Sequence, residues 1–146
     1  MTRSSAVVID AGMGIFQVIA DPFSERVDAL WSDWIREGII VCSPTLWRNE
    51  TTSVLHKVFM QHLISEEKAV EALEVLSGLG VELHDADAET SRQAFTWATR
   101  LGQYQAYDGF YLALAEKLNA PFWTTDQRLV NRAHQLGITW VKWIGE

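Results

Sequence analysis

The chain is short of cysteine and of long apolar runs, and each shortage excludes a class of protein. Its 146 residues include one cysteine, Cys42, so no disulfide can form within the chain, which fits a reducing compartment. No apolar run is long enough to span a bilayer, and the start of the chain carries no signal-peptide pattern. We therefore expect a cytoplasmic protein that has no membrane partner.

Basic residues are also scarce relative to acidic ones. There are 12 Lys and Arg against 19 Asp and Glu, which gives a net charge of -7. This balance disfavours broad electrostatic capture of nucleic acid, but it allows a concentrated acidic site that recruits cations. The hydrophobic content of 48% suits a sizeable core, and no linker, repeat or low-complexity segment interrupts it. We expect one domain over residues 1–146.

Strand and helix signals alternate along this domain. Short apolar runs rich in β-branched or aromatic residues predict strands at 6–9, 39–42, 81–84, 122–124 and 139–144. Helical spacing of apolar residues, with caps at the ends, predicts helices at 24–37, 44–60, 65–77, 87–101, about 107–118 and 127–136. In the second of these, Ser43 is the expected N-cap and Pro44 the first helical residue. The pattern predicts an α/β domain with a mostly parallel sheet.

Four carboxylates, far apart in the sequence, fall where such a sheet would bring them together. Asp10 and Asp126 directly follow predicted strands, and Glu50 lies in the helix after the second strand. Asp108 is the only charge in the apolar stretch 106–115, with no Lys or Arg within four residues. A carboxylate there is costly unless it is hydrogen-bonded, paired or bound to a metal. Ligands of parallel sheets bind outside the carboxyl ends of the strands, so we expect the four acids at that edge.

Acids that converge in this way need a counter-charge. Two carboxylates ~4 Å apart repel by roughly 4 kcal/mol at an effective dielectric near 20. Hard oxygen ligands favour Mg²⁺ or Mn²⁺, which retain waters and leave positions for phosphate oxygens. Such an ion can polarise a phosphodiester, generate hydroxide and stabilise the leaving oxygen. No histidine or cysteine is required, and the four histidines show no metal-ligand spacing.

The order and spacing of the acidic motifs resemble the PIN-domain family. The similarity covers about residues 7–141, and it is greatest to the small VapC-type ribonuclease toxins. The motifs are Val-Val-Ile-Asp at 7–10, Pro44 followed by Glu50, Tyr-Asp-Gly-Phe-Tyr-Leu-Ala-Leu-Ala at 107–115, and Thr-Thr-Asp at 124–126.

The resemblance carries expectations about fold, activity and partners. It implies a three-layer α/β/α fold and an endoribonuclease that depends on Mg²⁺ or Mn²⁺. It further implies a homodimer and, for a toxin, a small antitoxin that covers the site. The residues implied to be both catalytic and metal-binding are Asp10, Glu50, Asp108 and Asp126, and Thr124 would supply a hydroxyl beside them.

Two glycines depart from the family pattern and keep an alternative open. Gly12 stands where Ser or Thr often follows the first aspartate, and Gly109 replaces the usual alanine after Asp108. The loss of a hydroxyl at position 12 is the only sequence support for a PIN-like binding module that has lost catalysis. A receiver-type phosphoacceptor is disfavoured, because such proteins pair two acids near the first strand, whereas Asp10 stands alone.

Candidate contacts for RNA lie next to two of the acids. Trp47 is close to Glu50 in sequence and is our candidate for stacking on a base. Arg48 and Arg128, neighbours of Glu50 and Asp126, could hold phosphate. Three other tryptophans, Trp31, Trp34 and Trp97, lie at helical spacing among apolar residues and are predicted to be core or dimer contacts.

Overall fold

Strands and helices alternate along the chain in the computed structural model, which describes residues 5–146. The strands are β1 (Ala6–Ile9), β2 (Ile40–Pro44), β3 (Glu82–His84), β4 (Phe122–Thr124) and β5 (Val141–Trp143). The helices are α1 (Ala11–Val18), α2 (Ser24–Arg36), α3 (Leu46–Met60), α4 (Glu66–Ser77), α5 (Ala88–Leu101), α6 (Tyr107–Leu118) and α7 (Gln127–Gln135). None of these helices is both long and apolar enough to cross a membrane.

The five strands form one sheet in the order β3-β2-β1-β4-β5, and every neighbouring pair is parallel. The predicted α/β class is confirmed, and the sheet is wholly rather than mostly parallel. The central strand β1 is fully buried at Val7, Val8 and Ile9, as a strand covered on both faces must be. Because all strands run the same way, their carboxyl ends meet at one edge.

Aromatic residues on β4 show how helices cover both faces of the sheet. Phe122 stacks on Tyr111 of α6, with ring centroids 5.5 Å apart and planes at 15°. The next residue, Trp123, points to the other face, where its ring lies 6.3 Å from that of Trp34 in α2. Helices therefore lie on both sides of the sheet, which confirms the three-layer arrangement.

The position of α6 depends on Gly109. A Cβ atom at this residue would lie 2.2 Å from the backbone oxygen of Ala94 in α5. The absence of a side chain therefore lets α5 and α6 approach closely. Asp108 is the residue before Gly109, in the same turn of α6. The departure from alanine at position 109 has a packing cause.

Two local predictions were incomplete or wrong. Ser43 and Pro44 do not begin a helix: β2 runs through Pro44, and α3 begins at Leu46. The hydroxyl of Ser43 donates across the sheet to the backbone oxygen of Ile9 instead of capping a helix. Pro44 is the last residue of this strand. The sequence pattern also missed α1, because Gly12 and Gly14 obscure its helical signal.

Candidate active site

Asp10 is held by four hydrogen bonds from two backbone segments. It follows β1 and caps α1, where its Oδ1 accepts from the backbone N–H of Met13 at 3.0 Å. Its Oδ2 accepts from Thr124 Oγ1 at 2.7 Å, and from the Thr125 N–H and Oγ1 at 2.9 and 3.2 Å. The carboxylate is therefore fixed in direction by the turn between β4 and α7.

Thr124 connects the first and the last of the predicted acids. Its buried hydroxyl donates to Asp10 and accepts from the backbone N–H of Asp126 at 3.0 Å. Asp126 caps α7, because its Oδ1 accepts from the N–H groups of Arg128 and Leu129 at 3.0 and 3.2 Å. The structure thus places Thr124 beside the acids, where the resemblance implied a hydroxyl.

Glu50 is on α3 and Asp108 is on α6, and the donors that hold them are on α6 and in the loop before it. The hydroxyl of Tyr111 in α6 donates to Glu50 Oε1 at 2.6 Å. Asp108, in the first turn of the same helix, accepts from Gln103 Nε2 at 2.8 Å. Each carboxylate is therefore oriented by a neutral donor, and neither is neutralised by it.

The electrostatics show that the four acids form one group. Burial raises the pKa of Asp10, of Glu50 and of Asp108 above the ordinary values. The negative charges of Asp108 and Asp10 raise the pKa of Glu50 further, and that of Asp126 raises the pKa of Asp108. Within residues 5–146, no ion pair involves any of the four. The group therefore holds unbalanced negative charge.

The donor set fits a hydrated divalent cation. All the side chains that converge offer hard oxygens, and Gln103 Oε1 is a buried acceptor with no hydrogen-bond partner. The four carboxylates all lie within the described residues, but they are not tightly packed. No three of them have ligand atoms that are mutually within 4.8 Å. An ion held partly through its own waters suits that spacing, and Mg²⁺ characteristically keeps several waters.

The fold that carries these acids matches a known family. The family model of the PIN domain matches residues 15–135. The chain belongs to the PIN-domain family. The sequence has no significant match among curated proteins.

Solved structures similar to this PIN domain include one that is described as a toxin. VapC20 of Mycobacterium tuberculosis, described as a toxin that cleaves the sarcin-ricin loop, has a TM-score of 0.65 and 16% identity over 86% of this chain and 93% of its own. VapBC2 of Rickettsia felis, bound to a promoter DNA fragment, has a TM-score of 0.65 and 11% identity over 94% and 96% of the two chains. FitAcB of Neisseria gonorrhoeae has a TM-score of 0.62 and 20% identity over 94% and 95%. At these identities the likeness shows a shared fold.

The prediction that Trp47 stacks on a base is wrong for this PIN domain. Its side chain is only 4% exposed, because it packs over α1 where Gly14 leaves room for its ring. Its Nε1 donates to the backbone oxygen of Asp10 at 3.0 Å, so it fixes the strand end that carries the first acid. Arg48 and Arg128 are exposed, as contacts for phosphate would need to be.

The hydroxyl missing at position 12 has a local replacement. A Cβ at Gly12 would lie 2.1 Å from Thr125 Oγ1, so the side chain of Thr125 occupies the space of a residue-12 side chain. From there, the Thr125 hydroxyl donates to Asp10. Nothing in the sequence indicated that Thr125 compensates for Gly12, because the two residues are far apart in the chain. Its position between Thr124 and Asp126, two predicted site residues, was the available signal.

Other site residues were missed for different reasons. Tyr111 could have been found, because it lies one helical turn after Asp108 and on the same face. Gln103 lies in the loop before α6, where helical periodicity gives no information.

A groove of about 670 Å³ also opens beside Glu50, and its lining includes Tyr107 and Phe110. The Tyr107 side chain is 51% exposed and is a better candidate for contact with a base than Trp47.

Proposed function

We propose that this PIN domain is a metal-dependent endoribonuclease, and the observation that carries the proposal is the unbalanced carboxylate group. Three partly buried acids with raised pKa values and no cationic partner are unfavourable in a protein that does not use them. Mg²⁺ or Mn²⁺, held by Asp10, Glu50 and Asp108 with Asp126 at the outer side, would balance the charge.

The chain's own residues would position the substrate and the charge. Bound at the acids, the ion would polarise the phosphodiester and activate water for attack on phosphorus. The hydrogen bonds from Thr124 and Thr125 hold Asp10 in one direction. Tyr111 stabilises the ionised form of Glu50, because it donates to that carboxylate. Arg48 and Arg128 would bind phosphates, and Tyr107 would contact a base in the adjacent groove.

Metal would also be required for binding of RNA. At a net charge of -7, the metal-free protein repels a polyanion. We therefore expect affinity and cleavage to rise together when Mg²⁺ or Mn²⁺ is added, and cleavage to fail in Ca²⁺, whose longer and looser coordination fits the acids poorly.

The test uses purified protein and a mixed RNA pool, with Mn²⁺, with Ca²⁺ and with EDTA. The Asp10→Asn, Asp126→Asn double variant serves as the control for contaminating ribonuclease. We expect cuts in Mn²⁺ that the double variant does not make. Binding of RNA with no metal-dependent cut above this control would contradict a general ribonuclease and favour the alternative, a binding module.

We further propose that the protein is the toxin of a toxin–antitoxin pair. The proposal is supported by the structural likeness to VapC20, described as a toxin, and to VapBC2. The apolar groove beside Glu50 is a surface on which an antitoxin segment could cover the acids. Induced expression in bacteria should arrest growth, and Asp108→Asn should abolish the arrest while the protein still folds. Equal arrest by both proteins would contradict a toxicity that depends on cleavage.

A homodimer is the expected oligomeric state. Several large apolar side chains are exposed within residues 5–146, among them Ile35, Met60, Leu63 and Phe95, and a dimer could cover part of this surface. Light scattering on the purified protein should give twice the mass of one chain. A monomer at micromolar concentration would contradict the expectation.

A further inference from the structure

A second group of metal-ligating side chains lies at the edge of the sheet, apart from the four acids. Cys42 is on β2, and Glu82 and His84 are on the edge strand β3. Cys42 and Glu82 are register partners, and His84 is two residues further along β3, so the three side chains share one face of the sheet. Among residues 5–146, they are the only three His, Cys, Asp or Glu residues whose ligand atoms lie mutually within 4.8 Å.

The contact between His84 and Glu82 is unusual for an ordinary ion pair. His84 Nε2 lies 2.9 Å from Glu82 Oε1, but the two atoms are not aligned for a hydrogen bond. Nε2 is buried and has no hydrogen-bond partner, although a buried ring nitrogen normally has one. A ring nitrogen and a carboxylate oxygen that lie this close without a hydrogen bond between them can both be ligands of one metal ion.

The third ligand atom identifies the class of ion. Cys42 is buried, and its thiol makes only a long contact, 3.7 Å, with the backbone oxygen of Ile40. Sulfur with imidazole nitrogen and one carboxylate oxygen is a donor set for Zn²⁺ and similar ions, whereas Mg²⁺ prefers oxygen alone. In a tetrahedral zinc site, ligand atoms lie about 3.3–3.7 Å apart, given metal–ligand distances of about 2.0–2.3 Å. Spacings within 4.8 Å need only small side-chain movements to reach this geometry.

We propose that Cys42, Glu82 and His84 form a binding site for Zn²⁺ or a similar transition-metal ion. Binding releases the thiol proton of Cys42, since thiolate is the ligand. The Glu82 side chain is 54% exposed, which leaves water access to the fourth position. The ion would join the three-residue edge strand β3 to β2, independently of the acids that hold Mg²⁺ or Mn²⁺.

Cobalt is a suitable probe, because the chain contains only one cysteine. Co²⁺ is added to metal-stripped, reduced protein without oxygen and with excess Mg²⁺ to occupy the four acids. A thiolate-to-cobalt charge-transfer band in the near ultraviolet can come only from Cys42. We expect this band in the native chain, its displacement by Zn²⁺, and its loss in Cys42→Ser. His84→Ala and Glu82→Gln should weaken Co²⁺ binding about tenfold or more.

Two controls separate this site from the others. His56→Ala removes an exposed histidine elsewhere, and Asp10→Asn removes an acid of the active site; both should keep the band. If Cys42→Ser does not fold, the two variants on β3 still decide the question. No band at millimolar Co²⁺, or a band of equal affinity in His84→Ala and Glu82→Gln, would overturn the proposal.

Discussion

Asp10 and Asp87 both cap a helix, but the fold raises the pKa of Asp10 and lowers that of Asp87. Each caps a helix: Asp10 Oδ1 accepts from Met13 N at 3.0 Å, and Asp87 Oδ1 accepts from Thr90 N at 2.8 Å. Each also accepts from a threonine hydroxyl at 2.7 Å. The hydrogen bonds from Thr90 lower the pKa of Asp87, whereas burial raises the pKa of Asp10 despite its four donors.

The difference lies in where each cap stands on the sheet. Asp87 precedes α5 on the surface, so water solvates its charge and the cap contributes to stability. Asp10 follows the central strand β1 and lies against Thr124 of β4 and Trp47 of α3, which keep water from much of its charge. The same motif therefore favours folding at the surface and opposes it at the carboxyl edge. An acid whose charged form is disfavoured by folding, at a place where ligands bind, is a sign of function.

The two caps differ most in their effect on activity when each is neutralised. Asparagine caps a helix about as well as aspartate, so Asp10→Asn and Asp87→Asn should both fold. We expect single-turnover RNA cleavage to fall by about 10²–10³-fold in Asp10→Asn, the order found when one preorganised electrostatic group is lost. Asp87→Asn should cleave at the native rate. Equal rates in the two variants would remove Asp10 from the reaction.

Metal should stabilise one of these regions and not the other. At Mn²⁺ one hundred times its dissociation constant, the free energy of unfolding should rise by about 2.7 kcal/mol. Urea denaturation with Mn²⁺ or EDTA measures this gain. Asp87→Asn should keep it, and Asp10→Asn should lose most of it. A full gain in Asp10→Asn would place the ion elsewhere.

The pH dependence of the metal-free protein should have opposite signs for the two groups. A raised pKa means that the folded state binds the proton more tightly, so the site acids reduce stability above their raised pKa values. This penalty disappears as the pH falls through those values towards the ordinary 3.8 of Asp and 4.5 of Glu. Each pKa unit is equivalent to about 1.4 kcal/mol.

Asp87, with a lowered pKa, loses its contribution to stability as the pH falls through that value. Chemical denaturation without added metal, from pH 8 down to about pH 2, therefore separates the two groups by difference from the native chain, because the contribution of Asp87 is lost only below the ordinary 3.8. Asp10→Asn should be more stable than the native chain at pH 8, and this advantage should shrink towards pH 4. An advantage that is independent of pH would contradict the raised pKa.

The fold was accessible from the sequence because burial leaves a periodic signal. Runs such as Val7–Val8–Ile9 predicted the strands, and Ser65, Asp87 and Gly102 predicted helix ends that the structure confirms. The parallel order of the sheet then placed Asp10, Glu50, Asp108 and Asp126 at one edge. Ser43 and Pro44 misled, because a serine followed by proline resembles a cap although the serine bonds across the sheet.

The partners of the acids could not be predicted in the same way. Contacts between Tyr111 and Glu50, or between Thr124 and Asp10, join residues 61 and 114 positions apart, and no local pattern encodes such pairs. Trp47 shows the reverse error: proximity to Glu50 in sequence indicated a surface role, but glycine at position 14 admits its ring to the core. Shape complementarity of this kind depends on both partners.

The hydroxyl of Thr125, which donates to Asp10, should have a modest effect on cleavage. Thr125→Val removes one hydroxyl of four donors, so we expect cleavage to fall about 2–10-fold, equivalent to about 0.5–1.5 kcal/mol. Thr125→Ser keeps the hydroxyl and should cleave at nearly the native rate. A loss in Thr125→Ser equal to that in Thr125→Val would show that the methyl group matters instead.

Position 12 provides the sharper form of this test. In the native chain, Gly12→Ser places Cβ 2.1 Å from Thr125 Oγ1 and should displace it from Asp10. In a Thr125→Ala background, the remaining Cβ is 2.9 Å away, so the new serine needs a backbone shift but no longer meets a hydroxyl, and it can supply its own beside Asp10. Gly12→Ser should therefore reduce cleavage in the native chain and restore it in Thr125→Ala. Additive losses in this double-mutant cycle would mean that the two positions act independently.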